Sequence, residues 1–91
     1  MTGKRPWTDF ERLMLLRSVK EMLPEIAEAM KRPLGEVVAK QEQLQKIFEK
    51  EYEDQAQKYI ELGFELDEAF LKVADEVHID LKRIRELEER M

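Results

Sequence analysis

Only six of the 91 residues are glycine or proline, and they are placed unevenly. Gly3 and Pro6 stand ahead of the first helical pattern, Pro24, Pro33 and Gly35 fall close together, and Gly63 stands alone. Between Gly35 and Gly63 there is no Pro, no Gly and no Asn. Proline ends helices because it lacks a donor and crowds the preceding turn, and glycine ends them by supplying left-handed backbone. These few positions therefore mark the joints of a helical chain. Charged residues make up 41% of the sequence, which favours salt-laced helices over sheet. The expected fold class is all-α.

Five helices are expected. Thr8 and Glu11 form a capping box directly after Trp7, with Phe10, Leu13, Met14, Leu16 and Val19 as the stripe behind it. Leu23-Pro24 opens the second helix, where an early proline costs little. Its apolar face is Ile26, Ala27 and Met30, and Lys31-Arg32-Pro33 ends it. A third helix begins near Leu34 with Val37, Gln41, Leu44 and Phe48 on one face. It runs on to Gly63, either as one long helix or as two with a bend, carrying Ile47, Tyr52, Ala56, Tyr59 and Ile60. The fourth spans about Asp67 to Val77, with Asp67 as its cap. After a tight turn at His78-Ile79-Asp80, Asp80 caps a fifth helix with Leu81, Ile84, Leu87 and Met91.

Composition narrows the function classes. A chain this short leaves little stability for a deep catalytic cavity. There is no cysteine, one serine and one histidine, so no Ser/His/Asp or Cys/His set can be assembled. No glycine-rich phosphate loop is present, and isolated surface carboxylates are not a site. The expectation is a protein that is not an enzyme and uses no cofactor or metal. No apolar run approaches the roughly 18 residues needed to span a bilayer. Nor does an apolar stretch follow the basic N-terminus as in a signal peptide, so a cytoplasmic, non-membrane protein is expected. The net charge of -5 is unevenly distributed. Residues 1–46 hold nine Lys/Arg against seven Asp/Glu, and residues 47–91 hold seven against fourteen. The chain divides on this basis into a mildly basic unit, 1–46, and an acidic helical unit, 47–91, packed as one compact body.

Pro6-Trp7-Thr8, Glu11, Leu13, Ile26-Ala27, Met30, Arg32-Pro33, Val37, Lys40 and Leu44 fall in an order that resembles the Myb/SANT-like domain. This is a three-helix member of the homeodomain-like helix-turn-helix group, and the resemblance covers Pro6 to Leu44. Trp7 stands for the first of three tryptophans common in that family, while Leu23 and Gln41 replace the other two. The resemblance implies a DNA-reading face at Val38, Ala39, Glu42 and Gln43. Glu42 repels phosphate, and Val38 and Ala39 offer only methyl contacts, a face that also suits the members of that family that bind protein.

A second helix-turn-helix is expected from Phe70 to Glu89. Val73, Ala74, Val77, Ile79, Ile84 and Leu87 resemble the apolar positions of a repressor or sigma-factor motif, with His78 where the motif has a left-handed glycine. Ile26-Ala27, Met30 and Val37 also recur as Val73-Ala74, Val77 and Ile84, at a constant offset of 47 residues.

The leading expectation is a small DNA-binding protein acting in transcription control or phage DNA transactions. Lys4, Arg5, Arg32 and Lys40 would contact phosphates, with Lys4 and Arg5 as a minor-groove arm, and Gln43 would read a base. In the second unit Lys82, Arg83 and Arg85 would join them, while Glu86, Glu88 and Glu89 would repel phosphate. The alternative is an acidic protein-interaction module for part of the transcription or replication machinery. The apolar stripe of the central helix is long enough to serve a homodimer as well as the core.

Overall fold

The computed structural model describes residues 6–90. Six α-helices and no strand occur among them: α1 (Asp9–Leu16), α2 (Leu23–Met30), α3 (Leu34–Glu51), α4 (Glu53–Glu61), α5 (Leu66–Glu76) and α6 (Leu81–Glu89). A single 3-10 turn, Lys20–Met22, leads into α2.

The helix starts follow local chemistry. Thr8 accepts from the Glu11 amide, and the Glu11 carboxylate accepts from the Thr8 amide, closing the capping box at α1. Asp80 accepts from the Arg83 amide at the start of α6. Lys31 ends α2 in left-handed conformation (φ 59°, ψ 44°), and only three residues separate α2 from α3. At the end of α4, Gly63 takes φ 99° and the Phe64 amide reaches back to the Tyr59 carbonyl, a Schellman-type closure.

Asp67 does not cap the fourth expected helix. That helix, α5, begins at Leu66 after Glu65. Asp67 instead accepts from the Lys20 amide and from Gln45 Nε2, both at 3.2 Å, tying α5 to α3 and to the turn before α2. The stretch from Leu34 to Leu62 takes the bent alternative. The bend lies at Tyr52 (φ -126°, ψ 41°), where no helix-breaking residue stands. Packing sets it: Tyr52 lies against Phe48 at 4.7 Å between ring centroids, and α4 turns to pair with α5.

α3 is the central element and packs against α1, α2, α5 and α6. Leu15, Val37, Leu44, Phe48 and Val73 are fully buried, and Phe70 meets Phe48 edge-on at 6.1 Å. Val37, Leu44 and Phe48 of the expected stripe thus belong to the chain's own core, while Tyr52 and Tyr59 are half-buried against it. The division at residue 46 falls inside α3, and α6 returns from the acidic half to pack on α1 and α3, so the two halves share one core. Phe10, expected in the core stripe, is 70% exposed.

Of the second expected helix-turn-helix, both helices form, as α5 and α6, and each packs mainly on other helices. α6 lies chiefly against α3 and α1, and α5 against α4, α1 and α3. His78 is not left-handed; among the described non-glycine residues only Lys31 has positive φ. The 47-residue recurrence persists as a burial pattern, with Ile26, Ala27, Val37 and Val73, Ala74, Ile84 all buried, but the two helix pairs are used differently.

Candidate functional site

Two features concentrate the charge chemistry of this molecule. The first is an internal network around Trp7. The Arg32 guanidinium lies 3.9 Å from the Trp7 ring centroid. It grips Glu11 through two hydrogen bonds, Nε to Oε2 at 2.9 Å and Nη2 to Oε1 at 3.1 Å, and also donates to Glu36 and to the Pro6 carbonyl. Hydrogen bonding from Arg32 is the main reason the Glu11 carboxyl is held down at about 2, outweighing the upward push of burial. Arg32 itself is raised above its ordinary value by the same bond.

Lys40 Nζ, 5.6 Å from the same ring centroid, lies 2.9 Å from Glu88 Oε1 and donates to Gln43 Oε1 at 3.0 Å. Glu88 also takes a bidentate pair of bonds from Arg12, which donates further to the Trp7 carbonyl and to Asp9. Burial pushes the Glu88 carboxyl up, but the hydrogen bonds from Arg12 and Lys40 outweigh it, and the net direction is down. Glu88 therefore serves as a clasp between α6 and the helices α1 and α3, where the sequence suggested only a phosphate-repelling surface charge.

This placement changes the roles of several expected contacts. Arg32 and Lys40 are buried, at 7% and 9% exposure, and committed to carboxylates, so neither is presented to a phosphate. Arg83 pairs with Glu51 and Glu86, and Arg85 with Asp9, each on the surface. Lys82 is exposed, and Gln43 is half-buried beside Lys40. Lys4 and Arg5 lie outside the described residues.

The second feature is the outer face of α3. Gly35, Ala39, Glu42, Lys46 and Lys50 are exposed and follow one another at spacings of four, three, four and four. This is one side of the longest helix, opposite the buried Val37, Gln41, Leu44 and Phe48. Val38 is half-buried against the core. Among the described residues Lys46 and Lys50 form no ion pair, and neither does Lys31 at the turn before the helix, while Glu42 is drawn to Lys20 at 4.0 Å. An open groove of about 610 Å³ flanks the C-terminal half of the helix, lined by Ile47 and Leu87, by Lys46, Lys50 and Arg90, and by the carboxylates of Glu49, Glu51 and Glu53. Sequence reading overlooked Lys46 and Lys50. The signal was there, since both fall on the polar arc of the helical wheel, but the family resemblance ends at Leu44.

No family model, curated protein or solved structure matches the chain. No helix among the described residues is long and apolar enough to cross a membrane.

Proposed function

We propose that this chain is a small helix-turn-helix DNA-binding protein that lays the outer face of α3 against the duplex. The observation that carries the reading is the uncovered face of α3, behind the three-residue joint at Lys31. An 18-residue helix is about 27 Å long, enough to follow a major groove, and it is fixed from behind by four other helices. Lys31, Lys46 and Lys50, without ion-pair partners among the described residues, supply cations for phosphates, and Gln43 borders the face as a base-edge donor and acceptor. Arg32 and Lys40 hold the scaffold and do not touch the ligand.

The test is fluorescence anisotropy of labelled random-sequence duplex at about 50 and 200 mM salt. With three phosphates neutralised, the slope of log K against log salt is about -2.7, so affinity falls roughly 40-fold between the two conditions. No binding at the lower salt sinks the proposal.

A second reading, a protein-interaction module, draws on Leu34, 44% exposed, Ala39 and the half-buried Val38 at the start of the same face, with Glu42 beside them. It predicts capture of a protein partner that survives nuclease treatment.

A further inference from the structure

One side of α1 and its C-cap carries Phe10, Leu13, Met14 and Arg17, at positions i, i+3, i+4 and i+7; Phe10 and Arg17 are exposed, Leu13 and Met14 are half-buried, and Met14 also packs on the core. Phe10 is 70% exposed, and the four residues with Ser18 line an open groove of about 270 Å³. The opposite side of the helix is fully used, since Glu11, Arg12, Leu15 and Leu16 are buried. Arg17 is exposed and makes no ion pair among the described residues. An exposed phenylalanine and an unpaired arginine thus stand about 10.5 Å apart along one helix, with two apolar residues between them.

This strip is complementary to itself. Two copies of α1 facing each other antiparallel about a two-fold axis between Leu13 and Met14 place Phe10 of each copy opposite Arg17 of the other. Leu13 and Met14 each meet their own symmetry mates across the axis. Both unpaired ends are then satisfied at once, by two cation–π contacts flanking an apolar centre. A parallel arrangement opposes arginine to arginine and phenylalanine to phenylalanine, which leaves two like charges together.

We propose that the outer face of α1 is a homodimer surface, used in this antiparallel register. The occupant is a second copy, because the pairing that the strip lacks is the pairing that the strip itself supplies. The proposal stands independently of DNA binding. One short helix per copy makes a small interface, so the dimer is weak, with a dissociation constant on the order of 100 µM.

Sedimentation equilibrium of the full chain over about 10 µM to 1 mM is the first test. The weight-average mass is expected to rise from 10.9 kDa toward twice that value. Phe10→Ser is expected to weaken association at least about tenfold without changing the thermal melt, since the ring lies outside the core. The absence of native cysteine makes the register testable by oxidation of single-cysteine variants. Leu13→Cys and Met14→Cys should cross-link into dimers. Phe10→Cys should not, because the paired Cα atoms stand more than about 10 Å apart and a disulfide needs less than about 7 Å. A mass that stays monomeric to 1 mM, or a Phe10→Cys variant that cross-links as readily as Met14→Cys, overturns the proposal.

Discussion

Arg12 holds Glu88 across 76 residues of sequence through two parallel hydrogen bonds, each 3.0 Å long. α6 has one fully buried apolar residue, Ile84, so this clasp carries much of what fixes the last helix in place. Replacing Glu88 by Gln keeps the volume and removes the charge, leaving Lys40 without its anion and Arg12 with Asp9 alone. The cost is about 2 kcal/mol, below the ~3–5 kcal/mol of a fully buried pair because part of the Glu88 side chain meets water. Thermal denaturation should show a fall of roughly 10 °C for a domain of this size. A melting point within about 2 °C of the parent would show that the clasp contributes little.

Acid should weaken the fold through Glu11. Its carboxyl titrates at about 2 in the folded chain against 4.5 as the ordinary value, mainly because Arg32 hydrogen-bonds the charged form. Its contribution is therefore complete above about pH 4.5 and is lost as pH falls from there toward 2. Glu88, also lowered, acts in the same direction. The Glu11 contribution amounts to about 2–3 kcal/mol. Urea midpoints measured from pH 7 to pH 2.5 should drop below pH 4.5, and Glu11→Gln, less stable at pH 7, should show a shallower drop. Equal slopes for the two proteins would remove Glu11 from this role.

Cations that hold the fold and cations offered to a ligand should separate cleanly. Arg32→Lys forfeits the two-pronged grip on Glu11 and the stacking over Trp7, for a loss of about 2 kcal/mol, while the salt dependence of DNA binding is unchanged. Lys46→Gln and Lys50→Gln leave the melt untouched, and each lowers the salt slope by about 0.9. Stability curves and anisotropy on the parent, the three single variants and the double Lys variant check both halves. Full affinity in the double Lys variant would remove the outer face of α3 from the DNA proposal.

What could be read from the sequence was what depends on neighbours along the chain. The Thr8 capping box, the proline-opened α2, the Asp80 cap and the Gly63 terminus rest on interactions within a few residues, and all four formed. The bend at Tyr52 and the partners of Asp67 depend on where α5 comes to lie, which no local pattern encodes. The same holds for the charges. Arg32 and Lys40 look like surface cations in one dimension, and only the return of α6 with Glu88, and the folding of Glu11 toward Arg32, turns them inward. Gln41 illustrates the point: wholly buried, it spans back to α1 by donating to the Leu15 and Ser18 carbonyls at 3.1 and 2.8 Å. Its position in the apolar stripe was legible, and its partners were not.

The joint between α2 and α3 offers a substitution that tests fold and function together. Lys31 sits at φ 59°, a left-handed conformation that costs a residue with a Cβ roughly 1 kcal/mol relative to glycine. Lys31→Gly relieves this strain and should raise stability by about 0.5–1 kcal/mol. Gly63 is the mirror case: its φ is 99° and a Cβ there would meet nothing within 4 Å, so Gly63→Ala pays only in backbone conformation, about 1–2 kcal/mol. Opposite shifts in the urea midpoint are expected for the two variants. If Lys31 also touches a phosphate, the stabilised Lys31→Gly protein should bind duplex DNA more weakly and with a salt slope shallower by about 0.9, whereas Gly63→Ala, far along the chain at the α4–α5 turn, should bind as the parent does. A Lys31→Gly protein that gains stability and keeps its full salt slope would confine Lys31 to the turn and leave the phosphate contacts to Lys46 and Lys50.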